Sequence, residues 1–234
     1  VFLLCCAVNL LLTSCVRQKY VVMDMVHHNP GEAMTESKFL DPSFLKKNEY
    51  GAKVFFLFEA AQFGIDWKSF DPSLFPDTTE AGRWVAEKAE IIHKKYDAAK
   101  KEDLQVYCML DMLVLPSLLV EKHRTELTNE QGKLDISKPY TQLCIRELMK
   151  EMFETFPQLD GLVIRTGETY LHDAPYYVGN HPVQNGMYDH ITLINLLREE
   201  VCERRNKKLF YRTWDMGQLH SIPKYYLSVT DSIE

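Results

Sequence analysis

Five short apolar runs recur along this chain, and polar loops and amphipathic stretches separate them. The runs are Tyr20–Val26, Lys53–Phe58, Leu104–Leu110, Leu159–Ile164 and Lys208–Arg212. Because they show little alternation of apolar and polar residues, they are typical of parallel strands that are buried on both faces. The stretches between them predict helices over Asp41–Lys47, Thr79–Lys101, Lys138–Phe156 and Asp189–Arg205. The repeated order of strand, loop and helix predicts a right-handed parallel α/β fold.

The connections that follow the strands favour a barrel over a doubly wound sheet. A dinucleotide-binding sheet needs a tight glycine-rich turn after its first strand, and this sequence has no GxGxxG motif. Long loops at the carboxyl ends of several strands are typical of the active face of a (β/α)8 barrel. Eight such units at this spacing need more than 234 residues. We therefore expect a (β/α)8 TIM barrel that is truncated after about five βα units.

Residues 1–15 have the composition of an export signal. They are mostly apolar and carry no charge, and they are fewer than the roughly 20 residues that a membrane span requires. The segment ends in Leu12-Thr13-Ser14-Cys15, which resembles a bacterial lipobox with Cys15 as the lipidated residue. We expect a lipoprotein signal peptide over residues 1–15, and the N-terminal part of a catalytic barrel over residues 16–234, held to the cell envelope by its lipid anchor only. The alternative is a buried N-terminal strand or helix.

The net charge argues against nucleic acid as a partner, and the cysteine pattern argues against disulfides and a structural metal. A net charge of −6 argues against nucleic acid as a partner, because nucleic-acid binding needs a basic surface. Beyond residue 15, the cysteines are Cys108, Cys144 and Cys202, and none of them forms a CxxC motif. This pattern favours free thiols, and we expect no structural metal and no cofactor.

Polar and aromatic residues concentrate where the predicted strands end. The candidates are Asp24, His27, His28, Asn29, Glu32, Glu59, Asp111, Arg165, Glu168, Tyr170, Arg212, Trp214 and Asp215. The carboxyl ends of all strands in a parallel barrel converge on one mouth, so these side chains would share one pocket. Carboxylates can act as general acid and base, as in glycoside cleavage. Aromatic rings, including Tyr176 and Tyr177, could pack against sugars.

Several of these residues have a structural alternative. His27 and His28 could bind a metal, but adjacent residues of an extended chain point to opposite sides. Asp24 could be the buried partner of Arg165 or Arg212. Glu59 and Asp111 could cap loop amides. The charged run Arg198–Lys208 is expected to be a solvated helix face.

Three segments resemble a group of exported Bacteroidetes-type glycoside hydrolases. They are Asp24–Glu32, Phe156–Tyr170 and Tyr211–Asp215. More distantly, the chain is similar to the α-glucuronidase type of barrel glycosidase, in which a glutamate just after strand four is the general acid. Glu168 stands at the matching position. Many retaining members carry Asn-Glu there, whereas this chain has Gly167-Glu168.

The resemblance implies hydrolysis of an O-glycosidic bond in an oligosaccharide or polysaccharide. Glu168 would protonate the leaving oxygen, and Asp215 and Asp111 are the other catalytic candidates. Arg165 and Arg212 would hold hydroxyls or a uronate carboxylate, because a guanidinium pairs well with carboxylates. The further candidates for substrate binding are His27, His28, Asn29, Glu32, Glu59, Tyr170 and Trp214. One alternative is a glycan-binding lipoprotein without activity; another is a metal-dependent hydrolase, for which the adjacent histidines are a poor match.

Overall fold

The computed structural model describes residues 21–24, 37–56, 59–166, 169–171 and 173–212. Several of the residues predicted for the site lie outside these ranges. They are Cys15, His27, His28, Asn29, Glu32, Glu168, Trp214 and Asp215.

Within these ranges the chain forms seven strands. They are β1 (Met23–Asp24), β2 (Ala52–Phe55), β3 (Gln105–Asp111), β4 (Val114–Pro116), β5 (Gly161–Arg165), β6 (Tyr177–Gly179) and β7 (Lys208–Arg212). Strands β1, β2, β3, β5 and β7 are the five predicted from the apolar runs. The short strands β4 and β6 were not predicted, and they pair with each other in an antiparallel ladder.

The same ranges contain six α-helices. They are α1 (Pro42–Lys47), α2 (Glu80–Lys101), α3 (Ser117–Lys122), α4 (Arg124–Leu127), α5 (Pro139–Thr155) and α6 (Met187–Leu197). Two 3₁₀ turns, Lys38–Leu40 and Ala61–Gly64, precede α1 and α2 respectively. The four predicted helices correspond to α1, α2, α5 and α6. Helices α3 and α4 lie in the connection after β3, where the sequence predicted a loop.

The five-stranded sheet is parallel throughout, and its strands lie side by side in chain order, β1-β2-β3-β5-β7. It curls as half of a barrel. A doubly wound sheet reverses its strand order at a switch point, and no reversal occurs among the five strands described. The prediction of a barrel-like parallel α/β fold is thus confirmed at the level of the sheet.

Apolar side chains on the two faces of the sheet form two separate clusters. The larger cluster fills the space between the sheet and the helices. The smaller one lies on the opposite, concave face of the sheet and consists of Ala52, Val54, Phe56, Tyr107, Met109 and Val163. Burial on both faces explains why the strands read as continuous apolar runs.

The start of α2 shows how local sequence fixes a boundary. The hydroxyl of Thr79 accepts a hydrogen bond from the backbone N–H of Gly82 at 3.0 Å, which caps the helix. A side chain at Gly82 would not fit, because its Cβ would lie 2.1 Å from the carbonyl oxygen of Pro76. The chain before α2 therefore packs directly against the first turn of the helix.

The last predicted helix differs from the expectation in two ways. It continues beyond Leu197 as a π-helical segment, Arg198–Glu203, and its charged run is not simply a solvated face. Glu200 is buried. Its carboxylate accepts hydrogen bonds from Arg146 of α5 at 2.6 Å and from Arg205 at 2.8 Å, and these pairs offset the cost of burial.

Candidate functional site

The parallel register brings three of the predicted site residues into one row. Asp111 is the partner of Arg165 in the ladder between β3 and β5, and Arg165 is the partner of Arg212 in the ladder between β5 and β7. All three are the last residues of their strands. We call the edge where the five parallel strands end, at Asp24, Phe55, Asp111, Arg165 and Arg212, the carboxyl-end mouth. The register thus makes these three residues neighbours, and their sharing of one functional site stays a prediction.

Asp111 and Arg165 form a buried ion pair in the centre of the row. The Nε atom of Arg165 donates to Oδ1 of Asp111 at 2.5 Å, and Nη2 donates to Oδ2 at 2.7 Å. The two residues are only 4% and 3% exposed. A guanidinium matches a carboxylate with two parallel hydrogen bonds, which fixes direction as well as distance. The ion pair therefore has one well-defined geometry.

Two aromatic rings flank the guanidinium of Arg165. Its Cζ atom lies 4.6 Å from the ring centre of Phe56 and 4.6 Å from that of Tyr170. The backbone N–H of Tyr170 also donates to Oδ2 of Asp111 at 2.9 Å. Cation–π contacts of this kind stabilise a charge that has been removed from water. Phe56 was not predicted as part of the site, because a phenylalanine in an apolar run reads only as core.

Glu59 points away from this row. Its carboxylate forms an ion pair with Lys95 of α2, and its carbonyl oxygen accepts a hydrogen bond from the hydroxyl of Tyr96 at 2.9 Å. Both partners belong to the helical layer. The predicted role of Glu59 in substrate binding stays a prediction, but the described contacts link it to α2.

Asp24 has a different partner from the expected arginines. The Nζ atom of Lys53 lies 2.6 Å from Oδ2 of Asp24, and Lys53 also donates to the carbonyl oxygen of Phe39 at 3.0 Å. The register pairs Asp24 with Lys53 and Met23 with Ala52. Because side chains alternate along a strand, Asp24 lies on the sheet face opposite to Ala52 and the concave cluster. Of the two readings of Asp24, that of a buried partner holds in kind, but the partner described is Lys53 and not an arginine.

Tyr177 is a core residue, which contradicts its predicted use as a sugar platform. Its ring is buried and packs 5.0 Å from the ring of Phe63 and 5.7 Å from that of Phe75, measured between centres. Its hydroxyl donates to the carbonyl oxygen of Gln62 at 3.3 Å, and burial raises the pKa of the phenol. Tyr176 is partly buried and packs edge-on against Trp84.

A pair of histidines that the sequence did not single out lies near the start of α6. His190 is 0% exposed, and its ring stacks on that of His181 with centres 6.4 Å apart. The ring of Tyr211, on β7, packs edge-on against that of His190, with the ring centres 5.9 Å apart. Burial, followed by the proximity of His181, lowers the pKa of His190 to about 4. The imidazole is thus kept neutral inside the fold at neutral pH.

The described cysteines lie outside the row at the carboxyl-end mouth and are not paired in disulfides. Burial raises the pKa of the Cys108 thiol to about 12, and Cys108, Cys144 and Cys202 are all free. Within the described ranges, no group of three or more His, Cys, Asp or Glu side chains could hold a metal ion. Over the same part of the chain, no helix combines the length and the apolar character that crossing a bilayer requires.

Comparison with known proteins gives no assignment. No protein-family model matches the chain, and no curated protein is significantly similar to it.

Proposed function

We propose that the chain is a (β/α)8 TIM-barrel glycosidase whose active site is the carboxyl-end mouth. The observation that carries this proposal is the row Asp111–Arg165–Arg212 on three adjacent parallel strands. Parallel strands in chain order support a barrel, and barrel enzymes place their catalytic groups at this edge. A buried, geometrically fixed ion pair there supports a preorganised site.

In this proposal Glu168 is the general acid. It follows Arg165 by three residues in the connection after β5. It would donate its proton to the leaving oxygen of the glycosidic bond, while a second carboxylate activates water or attacks the sugar. Asp215, which follows β7 in the sequence, is the candidate for that second group.

The substrate class in this proposal is a glycan that can carry uronate groups. Arg165 and Arg212 end neighbouring strands on one face of the sheet, so two guanidinium groups belong to one part of the mouth. The Asp111 carboxylate balances the charge of Arg165. Arg212 adds a second guanidinium to the row, and the planar geometry of this group suits a carboxylate, which supports an acidic sugar over a neutral one.

The test uses the full-length gene product and a panel of aryl glycosides and aryl uronides. We expect release of the aryl group from at least one substrate, and a loss of about three or more orders of magnitude in kcat for Glu168→Gln. Glu130→Gln, a change at an exposed glutamate far along the chain from the strand ends, is the matched control. Unchanged turnover in Glu168→Gln would remove Glu168 from the mechanism.

A second candidate is a glycan-binding protein without activity. The observation in its favour is that Asp24, Glu59 and Asp111, the predicted site carboxylates that the structure describes, are all committed to ion pairs. In that case the wild-type protein would bind oligosaccharides in calorimetry and cleave none of the panel. Binding that survives Glu168→Gln, together with absent turnover in the wild type, would select this candidate.

A further inference from the structure

The carboxylate of Asp111 joins two points of the chain that lie on either side of one loop. It accepts two hydrogen bonds from the Arg165 side chain, at 2.5 and 2.7 Å, and one from the backbone N–H of Tyr170, at 2.9 Å. Arg165 immediately precedes residues 166–169, and Tyr170 immediately follows them. One side chain on β3 therefore ties both ends of the loop that leaves β5.

Backbone and ring contacts support the same connection. The N–H of Met112, the residue after Asp111, donates to the carbonyl oxygen of Arg165 at 3.1 Å. The guanidinium of Arg165 lies between the rings of Phe56 and Tyr170. Thus β3, β5 and the residue that ends the loop are linked through main chain, charge and aromatic packing at one place.

The same contacts leave Asp111 poorly suited to proton transfer. A carboxylate has about four acceptor positions, and three donors lie within hydrogen-bond distance of the carboxylate of Asp111. The residue is 4% exposed. A group that exchanges a proton with substrate must come within hydrogen-bond reach of it, whereas Asp111 is enclosed by its protein partners.

We propose that Asp111 is a positioning residue, which holds Arg165 and the amide of Tyr170 and so fixes the two residues that flank positions 166–169. This inference rests on the proposed function insofar as the loop carries Glu168. It assigns to Asp111 a task different from the acid–base role that its sequence position suggests.

The test needs variants that keep the fold. Removing one member of a buried ion pair leaves a buried charge without its partner, and such single variants can unfold. We therefore compare two double variants, Asp111→Asn/Arg165→Met and Asp111→Leu/Arg165→Met. Both lack the ion pair and the guanidinium. They differ in one respect: the asparagine still offers a carbonyl oxygen to the N–H of Tyr170, and the leucine does not.

The kinetic expectation follows from that single difference. On the aryl substrate that the wild type cleaves, we expect kcat to be about 100-fold lower in the leucine variant than in the asparagine variant, with similar KM, because a misplaced catalytic group lowers the rate by about that factor. Equal, large losses in both variants would overturn the proposal, because the contact with the N–H of Tyr170, in which the two variants differ, would then have no effect on the rate. Equal kcat close to wild type in both would overturn it as well.

Hydrogen exchange provides a readout that does not depend on activity. We expect the amide of Tyr170 to exchange about tenfold faster, or more, in the leucine variant than in the asparagine variant, because only the latter retains its acceptor. Equal exchange rates would overturn the positioning role. If instead Glu168→Gln leaves turnover unchanged while the exchange rates differ as expected, the proposed function fails and the role of Asp111 stands.

Discussion

The buried histidine at the start of α6 predicts a specific loss of stability in mild acid. His190 is 0% exposed and has a pKa of about 4 in the folded protein, against an ordinary value of 6.5. Below pH 6.5 the unfolded chain takes up a proton at this site and the folded chain does not, so protonation favours unfolding. The neutral imidazole of His190 therefore makes its full contribution to the stability of the fold above pH 6.5, and this contribution is lost as the pH falls towards 4.

The structure sets the size of this effect. The difference between the two pKa values corresponds to about 3 kcal/mol of the free energy of unfolding. About 2 kcal/mol of this contribution should be lost between pH 7.5 and pH 5. The groups that face His190 act on the same equilibrium. His181 has a lowered pKa, mainly through burial, while the nearby Asp189 opposes that change, and Tyr211 packs against the ring.

The assay is urea unfolding of the full chain, followed by circular dichroism at pH 7.5, 6 and 5. Carboxylates also titrate in this range. We therefore compare how steeply the free energy of unfolding changes with pH in the wild type and in His190→Gln, in which this site cannot titrate. We expect the wild type to lose about 2 kcal/mol more than His190→Gln between pH 7.5 and 5. His123→Gln, at a histidine whose side chain is 34% exposed, is the control. An equal dependence of the free energy of unfolding on pH in the wild type and in His190→Gln would refute the reasoning.

Three further predictions concern the ion pair, the α2 cap and the N-terminal segment. Asp111→Ala should lower the free energy of unfolding by about 3–5 kcal/mol, because it leaves the buried charge of Arg165 without this partner; a loss below about 1 kcal/mol in chemical denaturation would contradict the buried pair. Thr79→Ala should cost about 1 kcal/mol through loss of the cap on Gly82, whereas Thr79→Ser should cost less, and the opposite order would be inconsistent with capping. Cys15→Ser should abolish incorporation of labelled fatty acid in a bacterial host if residues 1–15 are a lipoprotein signal, and persistent labelling would exclude Cys15 as the acceptor.

The five parallel strands and the four predicted helices were accessible from sequence because each carries a local signal. The run Lys208–Arg212 and the strand β7 have the same bounds. Pro139 marks the first turn of α5, and Asp41 caps α1 through the N–H of Ser43 at 2.9 Å. Apolar runs, prolines and capping side chains act within a few residues of the boundary that they set, so they can be read without a partner strand.

The partners within the mouth were not accessible in the same way. Asp111 and Arg165 are 54 residues apart in the chain, and only the register between β3 and β5 makes them neighbours. The register between β1 and β2 likewise decides that Asp24 meets Lys53. A shift of one residue in either ladder would move these side chains to the other face. Strands of three residues, such as β4 and β6, are too short to show any periodicity.

The order of the strands has a consequence for how this protein is made. Each strand of the main sheet pairs with the strand that precedes it among the five, so the partner of every new strand has already been synthesised. The chain leaves the ribosome N-terminus first, at about 5–20 residues per second. A sheet in chain order can therefore lengthen by one strand for each βα unit that leaves the ribosome, whereas a sheet with a reversed order must wait for a later strand.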